Sequence, residues 1–203
     1  MSMTGKVLMN FTSGVVPRVL GRIFLVLMLG VTMNACSSSE SWKEEVQLSD
    51  GRIIVVERET LHERGGDEWA SNRSGSKPKE RRIRFAYPGE SGQMVEWRSI
   101  KKSPQTWPEK PLILDTEAGQ PIIFSLVAIS PGCETYSKYV YRNGVWIEEE
   151  LPEKFEQRTT NLFIRDGTDM PQFVDLETKR KGNAEIGYRR ALKQVGPTRQ
   201  VCG

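Results

Sequence analysis

The stretch KYVYRNGVWIEE, residues 138–149, constrains the fold more than any other part of the chain. Asn143-Gly144 lies between two runs rich in β-branched and aromatic residues, a pattern typical of a type I′ turn between antiparallel strands. A two-residue loop pairs the flanking residues as Tyr141–Trp146, Val140–Ile147 and Lys138–Glu149. An aromatic pair, an aliphatic pair and an oppositely charged pair all stabilise a sheet at facing positions. The stretch therefore predicts a hairpin in this register.

Asp50-Gly51 indicates a second hairpin, again between two β-rich runs. A two-residue loop at this position opposes like charges, for example Glu44 to Glu57, and such pairs destabilise a sheet. The turn is therefore predicted, while its register stays open.

Other β-rich runs, separated by turns that contain Gly or Pro, predict strands at 81–87, 94–100, 112–115, 122–129, 160–165 and 171–174. The run IIFSLVAI, residues 122–129, is apolar except for one serine, which is typical of a central strand covered on both faces. Residues 59–80 contain several Gly, Ser and Pro residues and predict a long loop. This loop holds His62, the single histidine, and Trp69, for which folding back onto the sheet and contact with a partner both stay open.

Helical segments are predicted near the C-terminus. Asp175 is placed to cap a turn of helix that runs to Lys181, and Asn183 to cap a second helix at 184–194. Apolar residues recur at helical spacing along the second segment: Tyr188, Ala191, Leu192 and Val195. The expected fold is mainly β, an antiparallel sandwich or partly closed sheet with one C-terminal amphipathic helix.

The N-terminal segment predicts export. Residues 1–22 contain three basic residues and no acidic one, and residues 23–33 are apolar except for Gly30 and Thr32. As a helix this run is about 16 Å long, which is short of a membrane core about 30 Å thick. A basic segment followed by 7–15 apolar residues is typical of a signal peptide. Residues 1–35 are therefore predicted to be one.

Met33-Asn34-Ala35-Cys36 resembles the lipobox of bacterial lipoproteins. The resemblance implies cleavage before Cys36, acylation of Cys36 by chains such as palmitate, and a membrane anchor. Ser37 stands where an aspartate retains such proteins at the inner membrane. The resemblance therefore implies an outer-membrane protein of the cell envelope that faces the periplasm. An uncleaved N-terminal anchor and plain secretion are the alternatives.

The same resemblance sets the domain limits. Residues 36–41 are the lipidated cysteine and a flexible tether, and 42–203 are a single β-rich periplasmic domain. The chain broadly resembles proteobacterial envelope lipoproteins to which no activity is assigned.

Removal of the leader changes the charge balance and the cysteine count. The chain has 29 Lys and Arg against 26 Asp and Glu, and the leader's basic residues account for the excess. Composition therefore gives no reason to expect nucleic-acid binding. If Cys36 is lipidated, Cys133 and Cys202 remain, and an oxidising periplasm favours a disulfide between them. Two free thiols, or Cys133 as a nucleophile, are the alternatives.

The sequence contains no Gly-rich phosphate loop, CxxC pair or GxSxG elbow. No catalytic residue, metal site or cofactor is predicted. The expected function is a non-catalytic binding, structural or assembly accessory whose partner is an envelope protein or a glycan. A hydrolase using the Glu148–Glu150 region of the acidic cluster at 148–156, and a carrier of a small ligand, are the alternatives. Basic residues at 73–84 and 179–203 are expected on solvated faces or, alternatively, against anionic lipid, an acidic partner or an anionic polymer.

Overall fold

The computed structural model describes residues 38–64, 76–86, 92–104, 106–130, 133–151, 158–165, 170–185, 191–192 and 200–202, all within the compact unit Cys36–Gly203. These residues form the strands β1 (Ser39–Gln47), β2 (Ile53–Arg64), β3 (Ser76–Ala86), β4 (Met94–Arg98), β5 (Lys110–Glu117), β6 (Gln120–Ser130), β7 (Cys133–Arg142), β8 (Val145–Glu149), β9 (Arg158–Thr159), β10 (Phe173–Val174), β11 (Ala191–Leu192) and β12 (Gln200–Cys202). One helix, α1 (Leu176–Glu185), lies between β10 and β11.

Two sheets make up the body of the domain. The first, sheet A, has the order β10-β1-β2-β3-β4, and the second, sheet B, has the order β12-β7-β6-β5 with β8 also paired to β7. β9 and β11 form a separate two-stranded ladder. Antiparallel pairing dominates, and β10 runs parallel to β1. The predicted class, mainly β with two packed sheets and a short C-terminal helix, is confirmed.

The core lies between the facing sides of the two sheets. Sheet A contributes alternate residues of β1 to β4, such as Val46, Val56 and Phe85, and sheet B contributes Ile123 and Tyr139. A second apolar cluster covers the opposite side of sheet B. β6 is therefore buried on both faces, as the IIFSLVAI run predicts. Two sheets each burying one apolar side against the other is the stable arrangement for strands of this pattern.

The Asn143-Gly144 hairpin forms in the predicted register. The three facing pairs are Tyr141–Trp146, Val140–Ile147 and Lys138–Glu149. Asn143 and Gly144 have φ angles of 51° and 85°, as a type I′ turn requires. Trp146 also donates from Nε1 to the carbonyl of Glu96 at 2.8 Å, which ties β8 to the edge of sheet A.

The Asp50-Gly51 hairpin forms with a register one residue away from the simplest one. Lys43 faces Glu57, and Glu44 faces Val56. The N–H of Leu48 bonds to the carbonyl of Arg52 at 2.8 Å, so the turn is a three-residue loop, and it ends at Gly51 with a left-handed φ angle of 88°. The shift replaces opposed like charges with a salt bridge of 3.3 Å between Lys43 and Glu57.

Several boundaries differ from the prediction because strand pairing outweighs local composition. The predicted loop at 59–80 is strand at both ends, because β2 extends to Arg64 and β3 begins at Ser76. Trp69 lies outside the described residues. Residues 39–41 of the predicted tether belong to β1. Residues 160–165 form no strand, because the side chain of Asn161 takes the place of ladder partners, accepting from Leu114 N–H at 3.0 Å and donating to Leu114 O at 2.7 Å.

The prediction of a second helix at 184–194 is wrong at Ala191 and Leu192, which form β11. Residues 186–190 lie outside the described residues. The single described helix begins after Asp175, as predicted, but Asn183 lies within it and is buried. The buried side of α1 carries Lys179, Gly182 and Asn183 and is therefore polar.

Candidate functional site

A cluster of three buried charges joins β1, β2 and α1, and is called the Glu44 cluster here. The carboxylate of Glu44 accepts a hydrogen bond from Arg58 Nη1 at 2.7 Å and lies 3.5 Å from Lys179 Nζ. It also accepts the backbone N–H of Phe163 at 3.0 Å. The Arg58 guanidinium stacks on the ring of Trp42, 5.1 Å from its centroid. The buried charges are therefore paired and hydrogen-bonded, as buried charges must be.

Lys179 reaches this cluster from the buried side of α1. Its Nζ donates to the backbone carbonyls of Asn161, at 2.8 Å, and of Glu45. Burial lowers the pKa of Lys179, and the nearby Glu44 carboxylate opposes that shift. The helix is positioned for this contact by its N-cap, where Asp175 Oδ1 accepts the Thr178 N–H at 2.7 Å.

A second buried carboxylate, Glu109, lies just before β5 and is fully buried. It accepts the backbone N–H groups of Ile100, at 2.7 Å, and Lys101, at 3.0 Å, together with the hydroxyls of Ser125, at 2.6 Å, and Tyr139, at 2.9 Å. Burial, and then the adjacent Glu109 carboxylate, raise the pKa of the Tyr139 hydroxyl above its ordinary value. These donors anchor the connection after β4 to the strands of sheet B.

Lys101 Nζ donates to Ser137 Oγ at 2.8 Å beside the Glu109 carboxylate. A serine and a lysine at this distance can form a nucleophile and base. Ser137 is however buried, at 1% exposure, and Lys101 is also paired with Glu148. The contact therefore holds the connection against sheet B.

The outward side of sheet A, called the outer face here, carries a grid of charges. Register sets two rows across the strands: Lys43–Glu57–Arg84–Glu96 and Ser41–Glu59–Arg82–Arg98. Glu59 lies 3.2 Å from Arg82 and 3.7 Å from Arg84, and Glu96 pairs with Arg84 and Arg98. Burial would raise the pKa of Glu96, but the hydrogen bonds from these two arginines outweigh it and lower that pKa. Of the basic residues noted at 73–84, Arg82 and Arg84 thus form ion pairs within the sheet.

This grid forms the floor of an open depression of about 500 Å³. Its lining includes Ser41, Lys43, Glu57, Glu59, Arg82, Arg84 and Gln172. Exposed apolar side chains border the grid: Ile53 and Val55 on β2 and Phe173 on β10. The outer face therefore offers fixed positive and negative groups beside an apolar margin.

The predicted disulfide cysteines lie on adjacent strands. Cys133 and Cys202 face each other in the antiparallel β7–β12 ladder, a separation that suits a disulfide. Cys133 is disulfide-bonded, while the side chain of Cys202 lies outside the described residues, so their pairing stays a prediction. Cys36, the predicted lipidation site, also lies outside them.

The other predicted candidates lie apart from one another. Glu148 and Glu149 on β8 form ion pairs with Lys101 and with Lys138 and Arg142, and Glu150 is exposed beyond the strand. Glu153 and Glu156 lie outside the described residues. His62 lies in β2 opposite Pro78, at a shift in strand register. Within the described ranges no group of acidic, His or Cys side chains has the arrangement of a metal site.

Among the residues that the structure describes, no helix is both long and apolar enough to cross a bilayer. No family model, curated protein or solved structure matches the chain.

Both buried carboxylate sites were absent from the sequence-based prediction. For Glu44 a signal existed, because Trp42, Glu44 and Val46 alternate on one side of β1 and so place the carboxylate in the core. For Glu109, between two prolines, the sequence holds no comparable signal.

Proposed function

We propose that this chain is a lipid-anchored envelope protein that binds a polar, mixed-charge partner on the outer face of sheet A. The observation that carries the proposal is the ion-pair grid on that face, with its bordering apolar side chains. The grid spans four adjacent strands, and no described element packs over its depression.

The grid suits recognition because its groups are already fixed. Ion pairs hold the arginine and glutamate side chains in place on a rigid sheet, so a partner loses less conformational entropy on binding them. Alternating charges select a partner of complementary pattern and disfavour one of a single sign. An envelope protein with its own alternating charges, or a glycan that carries charged substituents, fits this surface.

The anchor is supported by the lipobox-like residues 33–36 and by the position of β1. The first strand begins at Ser39, three residues after the proposed lipid-bearing cysteine. The anchor would hold the domain at the periplasmic side of the outer membrane, and the outer face would meet partners there.

The binding proposal is tested by exchanging a charge pair on the outer face. The double substitution Lys43→Glu with Glu57→Lys keeps their ion pair but inverts the local charge pattern. Crosslinked partners are then captured from envelope fractions, and the exchange is expected to abolish the capture seen with the unmodified protein. The control exchanges Lys181→Glu and Glu177→Lys, an exposed pair on α1 at 2.8 Å. Equal capture by both variants, or equal loss in both, would contradict the proposal.

The anchor is tested separately by metabolic labelling with a palmitate analogue. Label is expected on the unmodified protein and is expected to disappear in Cys36→Ala. Persistent label in that variant, or none in the unmodified protein, would reject the anchor.

A further inference from the structure

We propose that one end of sheet A is a membrane-docking surface that rests on the lipid headgroups around the anchor. This surface, called the anchor-side end, is formed by Lys79, Ile100, Lys102 and Trp107. The inference rests on the lipid anchor of the proposed function and adds the orientation in which the domain is held.

The strand register brings these residues to the end of the sheet where β1 begins. Ser39 faces Leu61, and Leu61 faces Glu80. The N–H of Ser99 bonds to the carbonyl of Arg81, so Ile100 lies level with Glu80. One row across the sheet therefore runs from Ser39 to Ile100.

The connection from β4 to β5 folds back over the same end. Lys102 and Pro108 form an isolated bridge, and Lys77 Nζ donates to Thr106 Oγ1 at 2.9 Å. Lys77 itself faces Glu63 near the end of β2. Trp107, between Thr106 and Pro108, is therefore held at this end.

The chain length before β1 leaves little freedom in how the sheet is placed. Three residue steps separate Cys36 from Ser39, and an extended chain covers at most about 3.6 Å per step. A lipid on Cys36 thus holds Ser39 within about 11 Å of the lipid-bearing residue. Ser39 must therefore lie near the headgroups, and Ile100, three strand spacings along the same row, lies about 14 Å from it.

The side chains at this end have the chemistry of a membrane interface. Trp107 is 46% exposed and Ile100 is 66% exposed, although both are large and apolar. An exposed tryptophan suits the headgroup level because its ring is apolar and its N–H is polar. Lys79 and Lys102 are exposed beside them and complement anionic headgroups. Lipid is therefore the occupant that explains both the exposed apolar groups and their position.

The opposite end of the sheet supplies a matched control. Met94 and Ile53 are also exposed and apolar, at 59% and 54%. Met94 faces Ala86, and both lie in the same row as Val55 and Glu45. Glu45 is six residues along β1 from Ser39. At about 3.3 Å per residue, this end lies about 20 Å farther from the anchor.

The experiment places a photoreactive amino acid at position 100, 107, 53 or 94 of the full-length protein in cells. Ultraviolet-dependent attachment of phospholipid is measured on protein that carries the palmitate label. Positions 100 and 107 are expected to attach lipid roughly tenfold more than 53 and 94, because the far end lies about 20 Å beyond them. Charge reversal at both Lys79 and Lys102 is expected to lower attachment at position 100 several-fold, while Lys181→Glu on α1 leaves it unchanged.

The outcomes separate the two proposals. Absence of palmitate label rejects the anchor, whatever the crosslinks show. Normal label with equal attachment at both ends, or with crosslinks at 100 and 107 to protein instead of lipid, rejects the docking surface and leaves the anchor standing.

Discussion

Arg58 Nη1 donates to Glu44 Oε1 at 2.7 Å in the interior of the domain, where the two side chains are 3% and 0% exposed. One residue along β1, the same two strands carry a second ion pair, Lys43 with Glu57, in which both side chains are about half exposed. The two pairs share strands, but the buried one belongs to the Glu44 cluster and has further partners there. Comparing them therefore measures a buried pair within its cluster against an exposed pair.

Arg58→Met is expected to lower the free energy of unfolding by about 3–5 kcal/mol, because it leaves the carboxylate of Glu44 without its closest partner. Lys43→Met is expected to cost about 0–1 kcal/mol, as exposed pairs do. Urea unfolding of the two variants gives both values. Similar losses in the two variants would show that the buried pair contributes no more than the exposed one.

Gly182→Ala is expected to destabilise the protein, against the usual gain of about 1 kcal/mol for this change within a helix. A Cβ at Gly182 would lie 2.5 Å from Cε2 of Phe163, a buried ring between α1 and sheet A. Relief of that overlap costs about 1–3 kcal/mol. Lys181→Ala, on the exposed side, is the control and is expected to stay within about 0.5 kcal/mol of the unmodified protein. A higher melting temperature for Gly182→Ala would contradict the packing described.

Alkaline unfolding is expected to depend on Tyr139. Its pKa is raised above the ordinary 10.0, so the folded protein keeps this proton while the unfolded chain releases it. The unfolded state then binds fewer protons, and stability falls as pH rises above about 10. The stability of Tyr139→Phe, measured by urea unfolding between pH 8 and pH 11, is expected to fall less steeply. Tyr141→Phe, on the same strand, is the control. If the unfolding free energy fell equally steeply with pH in Tyr139→Phe and in the unmodified protein, the prediction would be wrong.

Loss of the predicted disulfide is expected to lower stability by about 4 kcal/mol in the chain-entropy model, since the loop closed by Cys133 and Cys202 holds about 70 residues. Cys202→Ser with Cys133→Ser removes both thiols and avoids mispairing. Its unfolding free energy is expected to match that of the unmodified protein in reductant. A double variant as stable as the oxidised protein would exclude the bond.

The sequence predicted the parts of the fold that depend on neighbouring residues. Turn chemistry and cross-strand pairs agree at Asn143-Gly144, and the apolar run of β6 is long enough to require cover on both faces. The Asp50-Gly51 register needed a comparison between two loop lengths: the three-residue loop pairs Lys43 with Glu57, whereas the two-residue loop opposes like charges.

The remaining features depend on residues far apart in the chain. The buried position of Lys179 is set by carbonyls at Glu45 and Asn161, and nothing in the local sequence of α1 indicates a buried lysine. Local composition at 184–194 favours a helix, yet Ala191 and Leu192 pair with β9. The outer face could have been inferred from alternation within β3, but the pairing of its arginines with Glu59 and Glu96 required the strand order.

The hydrogen bond between Lys179 and Glu45 spans 134 residues of sequence. When a chain emerges from a pore with its N-terminus first, Glu44 emerges long before its partner Lys179. Sheet A stays incomplete until then. Closure of contacts so distant in sequence is slow. Under the proposed export, the domain is therefore expected to remain unfolded during its passage through the membrane and to fold only when almost all of it has crossed.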